Sequence, residues 1–509
     1  MRKQEDGQVL PLGLVLVVLC VVGALLLFNT SQVASDKMRL ANSADAAAYS
    51  GALWQARALN YQAYANRAMV ANQVAIGQAV SLQSWMTYAS MTSQNIATAL
   101  KPVPVLNLVT SGIDGAVAVA EQAVTLGART LLAASNAATR ALSLSQSAMH
   151  AATLANTEEL ISVVARESDP RFTTNSVYGL GRKASNATEW LAFNTQHTKR
   201  DKSAMLNRQQ LIMASRDRFT RQRNWSLFNN WVPSGFNTFH KLRRQGATRL
   251  LAVKTPQGLE WEWVAKDTMS IHNKVYTWKG KKLKEVPVAW AAAFTNSRRS
   301  NRPINRQSCG RNLLSGFKKS ACTNFTSNNH VAEDFADLSI PNLLGKQTRI
   351  PMQGYGGVRS FWDLSKDAQV AADARLTVRV EVSLPAAELR NSDAILNAGQ
   401  LSSPLVVAGK TLSSVSAADV FYRHPRHHFL SGSQRDRANA YNPYWQAQLS
   451  PVSKVERLAA LGLRSGGTKP VSHSSGESRQ VSKQTNTRTS TNTQGGLGHY
   501  RHTGTFVRD

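Results

Sequence analysis

Val9-Leu-Pro-Leu-Gly-Leu-Val-Leu-Val-Val-Leu-Cys-Val-Val-Gly-Ala-Leu-Leu-Leu-Phe28 is an uncharged apolar run of twenty residues, followed after a short polar step by Ala44-Asp-Ala-Ala-Ala48. At ~1.5 Å rise per residue the run reaches ~30 Å, the thickness of a bilayer's hydrocarbon core. A cleaved secretory signal has a shorter apolar region and small residues before the cut. Ala34 is small enough to end such a signal, but Gln32 fits poorly two residues earlier. The run is therefore expected to be an uncleaved anchor, with a cleaved signal as the alternative. Pro11 sits in the first turn, where its missing N–H costs nothing. Arg2 and Lys3 precede the run, which favours a cytoplasmic N-terminus, although Asp36, Lys37 and Arg39 follow it. No second run of this length appears downstream. The chain then reads as a single-pass protein of the bacterial inner membrane with its C-terminal bulk in the periplasm.

Beyond the anchor, residues 35–100 read as helix. Alanine is abundant, proline is absent and glycine occurs only at Gly51 and Gly77. Leu59, Ala63, Val70 and Val74 form one apolar line, and Met69, Ile76 and Val80 a second. The polar residues are mostly Asn, Gln and Ser rather than Lys and Glu. This is the pattern of a helix packed along a partner with amides at the seam. Lys101-Pro-Val-Pro-Val-Leu-Asn107 breaks it, and a second helical stretch runs from about 110 to 165 with small residues at Ala116, Ala120, Ala123, Ala134, Ala137 and Ala141. The simplest picture is a long antiparallel helical hairpin continuing from the membrane helix. Its seam is either intramolecular or filled by another subunit.

Asp169-Pro170 ends the second helix. Helices are expected at 185–195 and 203–221. Short β-prone stretches follow at 250–253, 260–264, 274–277 and 286–294. The clearest strand is Leu376–Leu384, where Val378, Val380 and Val382 alternate with Arg379, Glu381 and Ser383, so one face should be buried. The class is α+β. The expected organisation is a cytoplasmic N-terminus and anchor over 1–34, a long helical hairpin over 35–168, and a mixed, partly helical connector over 169–245. A β-rich α+β domain over 246–463 and a disordered basic tail over 464–509 complete it.

Charge is divided unevenly. Residues 1–165 carry nine Lys/Arg and eight Asp/Glu, while the rest carries 51 and 23, most of the chain's net +29. A basic part of this kind either binds a polyanion or is a solvated surface, and the scattered placement favours the surface. Trp261, Trp263 and Trp278 lie among Lys266, Lys274 and Lys279, a mixture that stacks on single-stranded nucleic acid in some proteins. In alternating strands tryptophans more often fill a core, and a periplasmic location makes nucleic acid an unexpected partner.

Tests for chemistry come out negative. There is no GxxxxGK[ST] phosphate loop, no HExxH zinc pair and no GxSxG nucleophile elbow. Gly354-Tyr-Gly-Gly357 is a turn signal, and Asp363-Leu-Ser365 lacks the second serine of an Asp-x-Ser-x-Ser metal site. His424, His427 and His428 cluster, but flanking arginines repel a cation, so a solvated basic loop is expected rather than a metal site. Cys20 lies in the apolar run. Cys309 and Cys322 have twelve residues between them and can pair as a local disulfide in an oxidising periplasm, or remain two thiols. No catalytic residue, cofactor or metal ligand is expected.

Gly7-Gln-Val, the apolar run, and Asp36-Lys-Met-Arg-Leu-Ala-Asn-Ser-Ala-Asp-Ala-Ala-Ala-Tyr-Ser-Gly51 together resemble the TadE/TadG-like proteins of Flp (Tad, type IVc) pilus assembly. The segment carrying the likeness is Ala44, Asp45, Ala46, Ala47 and Ala48, with Gly7 before the anchor; the likeness covers about residues 5–75. Asn442-Pro-Tyr-Trp-Gln446 is similar to stretches near the end of long members. Pilin-like members cut by a prepilin peptidase have glutamate five residues after the glycine, where this chain has Leu12. The resemblance therefore implies an anchored accessory protein rather than a pilin. It implies other pilus or secretion subunits as partners, met through the anchor and hairpin, with the cell wall or a polyanionic glycan as further candidates. An envelope adhesin or polyanion-binding module is the alternative, and an envelope enzyme with an unrecognised site a more distant one.

Overall fold

The structure is a computed structural model of the full chain. It describes residues 9–100, 104–235, 238–298, 349–370, 374–385, 388, 411–423 and 438–464. Gly7, Cys309, Cys322, the histidines 424, 427 and 428, and the tail from residue 465 lie outside the described residues. Residues up to Arg464 form one compact unit.

Helix α1 runs without interruption from Val9 to Leu100, 92 residues, or ~140 Å at 1.5 Å per residue. It stops one residue before Lys101-Pro102, because a residue preceding proline is driven out of the helical region. Helix α2 (Pro104–Ser168) begins on a proline, which suits a first helical position. The two helices run antiparallel. Ser93 donates to Asp114, Gln83 Nε2 to Thr125 at 3.1 Å and Gln146 Nε2 to the Gln62 carbonyl at 2.9 Å. Further along, Gly51 sits against Ile161.

Then come α3 (Val177–Phe193), β1 (Asn194–His197), α4 (Lys202–Ala214) and α5 (Arg218–Arg221). Ser176, Asp201 and Asp217 cap the three helices through their side-chain oxygens. Two expectations change here. The helix expected at 185–195 starts eight residues earlier, because the Ser176 cap outweighs the glycines at 179 and 181. The helix expected over 203–221 is split, because Asp217 starts a new turn by accepting from Thr220 N at 2.6 Å.

The main sheet has five strands in the order β2 (Trp225–Gly235), β3 (Thr238–Thr255), β4 (Gly258–Thr277), β5 (Gly280–Asn296) and β6 (Arg349–Pro351). All neighbours are antiparallel except β5 and β6. A second pair joins β1 to β7 (Phe361–Leu364), which leads into the short α6 (Lys366–Val370). A three-stranded sheet has the order β10 (Trp445–Ser450), β9 (Leu412–Tyr422), β8 (Arg375–Leu384), and α7 (Lys454–Arg464) ends the described chain.

The strands differ from expectation in length and start. Four short stretches become three strands of 18, 20 and 17 residues, and the β region opens at Trp225 rather than 246. Residues 265–273, between two of the expected stretches, are strand as well. There Asp267, fully buried, takes a bidentate grip from Arg223 (2.8 and 3.0 Å) and the Ser84 hydroxyl at 2.7 Å. Strand β8 also departs from one-sided burial. Val378, Val380 and Val382 are buried, but so is Glu381 on the other side, where it accepts from Ser176 and Ser413.

The cores do not follow the boundaries drawn from the sequence. One cluster joins Leu40 to Leu59 of α1 with Ile161 of α2, Trp190 of α3 and the valines of β8. A second joins Met69 to Val80 of α1 with Leu132 of α2, Met205 and Ile212 of α4, and Trp261 and Trp263 of β4. A third joins Tyr88 and Met91 to Met269 and Trp290. Thus α1 is the spine on which α2 and both larger sheets pack. The amide seam is covered by the chain itself. Gly77 marks a close approach, since a Cβ there would lie 2.9 Å from the Trp263 ring. Gly115 of α2 has nothing within 4 Å. Gly77→Val is expected to lower stability by about 1–3 kcal/mol through overpacking, while Gly115→Val leaves the melting temperature close to that of the parent chain in detergent.

His150 of α2 is stacked between Trp362 (3.7 Å) and Trp190 (5.3 Å). Burial lowers its pKa to about 4. The unfolded chain therefore takes up the proton first as pH falls. The associated stability is complete above pH ~6.5 and is lost as pH drops toward 4, up to about 3 kcal/mol. Urea midpoints measured across this window should fall further for the parent chain than for His150→Phe, which keeps the stack and does not titrate.

Candidate functional site

The first part of α1 is unlike the rest. An 18-residue window near its start is long and apolar enough to cross a membrane, and none of it is buried against the protein. Leu12, Leu16, Leu19 and Leu27 are each at least 60% exposed. Cys20 is exposed on this stretch. Burial begins at Asn29 and Asp36, 4% and 2% exposed. Asp36 pairs with Arg171 Nη2 at 3.1 Å, and Arg171 is also gripped by Asp169 at 2.8 Å. The Asp169 hydrogen bond is the largest influence on Arg171 and pushes its pKa up. An ion-paired clamp thus fixes the helix where it leaves the apolar stretch.

Two turns on, the segment 44–48 meets the β8–β9 sheet. Ala44, Ala47 and Ala48 are fully buried in the first core cluster, and Ala46 is exposed. Methyl side chains let the helix backbone approach the strands closely. Asp45 stays at the rim and accepts from Ser416 Oγ of β9 at 2.5 Å. Asp36 and Asp45 are the only carboxylates on the helix, and both are engaged by the body of the protein. At Gly51, a Cβ would lie 2.9 Å from Ile161 and 3.2 Å from Val378, so helix, helix and strand converge there.

The Asn442–Gln446 stretch comes to the same helix. Asn60 donates to the Trp445 carbonyl at 2.9 Å and accepts from its N–H at 3.0 Å, acting as an extra strand neighbour. Arg67 Nη2 donates to Asn442 Oδ1 at 2.5 Å. Between them Asn66, fully buried, donates to the carbonyls of Trp362 and Ala440, both at 2.8 Å. Its oxygen accepts from Gln146 and Arg208, both at 3.1 Å. One amide therefore ties α1 to α2, α4, β7 and the stretch before β10.

The other residues singled out by sequence play structural parts. Trp261 and Trp263 fill the core. Trp278 does not: it is 91% exposed in the β4–β5 turn with Lys279 over its ring at 4.7 Å. Asp363 is half-buried, desolvation of its carboxyl pushes its pKa up, and it accepts from the backbone of Leu364 (2.8 Å) and Ala440 (3.0 Å). Gly354 and Gly357 adopt positive φ, as a turn requires. Among the described residues no group of three or more His, Cys, Asp or Glu is placed to hold a metal ion. Sequence reasoning passed over Asn60, Asn66, Arg171, Arg208, Arg223 and Asp267. For Asn60 and Asn66 the available signal was amides among alanines; the charged residues stand among other polar residues and carry no such local signal.

Residues 7–57 match a family model described as a putative Flp pilus-assembly TadE/G-like domain. The match runs from the first apolar turns through the Asp36 clamp, the 44–48 segment and Gly51. No curated protein and no solved structure matches the chain.

Asn60→Ala removes both bonds to Trp445 and leaves two buried backbone groups unpaired, so a loss of about 1–3 kcal/mol is expected in urea unfolding. Among the described residues Asn72 bonds only the Ala68 carbonyl of its own helix, and Asn72→Ala should stay within about 0.5 kcal/mol.

Proposed function

We propose that this chain is a non-catalytic, membrane-anchored component of Flp/Tad-type pilus assembly or secretion. The observation that carries the reading is the match over residues 7–57 to a pilus-assembly family model, on a helix whose apolar start is left uncovered by the described residues. On this reading residues 9–28 cross the inner membrane and the body stands in the periplasm, consistent with Arg2 and Lys3 ahead of the span. The inner face of α1 is occupied by its own sheets. Contacts with other pilus subunits then fall to the apolar span and to the outward face of α2, where Ile113, Val119 and Leu126 are exposed. The segment 44–48 and Gly51 act from within, setting the angle between anchor and body.

The test combines topology with phenotype. The tagged chain should stay with the inner membrane, and protease added to spheroplasts should digest a C-terminal tag and spare an N-terminal one. A strain lacking the chain should lose its surface pili and regain them with the parent chain. Leu16→Lys combined with Leu19→Lys places two charges in the span, at ~2.5–3.5 kcal/mol each, and should release the protein and fail to restore pili. Solubility of the parent chain, or full piliation without it, contradicts the proposal.

A further inference from the structure

A cleft of about 540 Å³ opens between α2 and the loop 354–359, lined by Asn136, Arg140, Leu144, Ser297, Tyr355 and Arg359 among others. Its volume suits a small molecule or one group of a larger one. Two of its side chains are arginines. Arg359 is folded back over Gly356, so closely that a Cβ on Gly356 would lie 2.0 Å from its guanidinium. Asn136 Oδ1 fixes that backbone by accepting from Gly356 N at 2.8 Å. The positive φ of Gly354 and Gly357, +100° and +80°, turns the loop on either side. The loop is thus shaped around the guanidinium.

What the guanidinium is held for is not explained by the fold. Arg359 makes no ion pair or hydrogen bond among the described residues, and its Nε is buried with no acceptor. A guanidinium offers five N–H donors in a planar fork and accepts nothing. The strongest charged neighbour is Arg140, a like charge, which together with burial pushes the Arg359 pKa down. The nearby Ser297 hydroxyl is turned to the carboxylate of Glu260 and accepts from Trp261 N. Two cations facing one cleft repel unless an anion lies between them. Leu144, Ala137, Ala141 and the Tyr355 ring supply an apolar wall beside the charged end.

We propose that this cleft is a binding site for an oxyanion group, a carboxylate or phosphate, gripped by Arg359 and Arg140. The fork of Arg359 matches two oxygens of such a group, and Arg140 supplies the second charge. The body that bears the anion lies along Leu144 and the alanines. The site stands apart from the residues 7–57 and does not rest on the pilus-assembly reading.

The test is thermal unfolding of the full chain in detergent, titrated with inorganic phosphate and, separately, with glucuronate, against sodium chloride at equal ionic strength. At tenfold excess over Kd a bound anion raises the midpoint of a unit this large by about 1–2 °C. Saturable stabilisation by phosphate alone points to a phosphorylated ligand, and by glucuronate alone to an acidic sugar or peptide carboxylate. Either effect should vanish in Arg359→Gln and Arg140→Gln and persist in Arg57→Gln, which removes a remote surface charge. In chloride, Arg359→Gln should melt no lower than the parent chain, because it relieves an unpaired buried donor and a like-charge contact. A lower midpoint there would show that the protein's own structure uses the guanidinium, and overturns the proposal. So does the absence of saturable stabilisation by both anions, or equal stabilisation of the arginine variants.

Discussion

The structure depends on covering one face of a single long helix. Past its apolar start, α1 carries alanines, amides and hydroxyls, with few large side chains and two carboxylates. Such a surface supports a helix by propensity, yet it buries little apolar area per residue and would gain little from packing on a second helix alone. Here the small residues allow two sheets and α2 to come close, and the amides replace water's hydrogen bonds with bonds to the chain. Asn60, Asn66, Gln73 and Ser84 each reach a different part of the protein. Losing the helix would leave three clusters of core residues without a common wall.

Continuity of this helix links the fold to its role. No proline lies between Pro11 and Pro102. The glycines at 51 and 77, where a helix bends most easily, are filled by Ile161, Val378 and Trp263. The Asp36–Arg171–Asp169 clamp holds the helix just beyond the apolar stretch. From Ala24 to Leu100 every glycine of the helix is filled, so a tilt of its last apolar turns is passed to the sheets as a lever. An anchored assembly component built this way would present its body at a set angle to the membrane.

The α+β class, the extent of α1 and the β8 strand were legible because each rests on a local pattern: absent proline, a Pro-rich stop and a period of two. The long strands were not legible. Their polar positions are satisfied by residues distant in sequence, as with Asp267 and Arg223, or Glu381 and Ser176. A one-dimensional pattern cannot tell a buried ion pair from a loop. The same holds for the site. The 44–48 segment was visible as a string of small residues. That Asn442–Gln446 returns to Asn60 and Arg67, nearly four hundred residues earlier, depends on tertiary packing. The Arg359 cleft was hidden for a further reason: Gly354–Gly357 read as a turn, and only the structure shows what the turn encloses.

On this packing, α1 from Asp36 to Ala97 is held by the chain's own sheets. Hydrogen exchange on the full chain in membranes, expressed without partner proteins, is the measurement to make. The account predicts that amides of residues 36–97 are protected to the same degree as those of β4 and β8 and open together with them. Rapid exchange along α1 in the lone chain, with protection appearing only when other subunits are co-expressed, would contradict it.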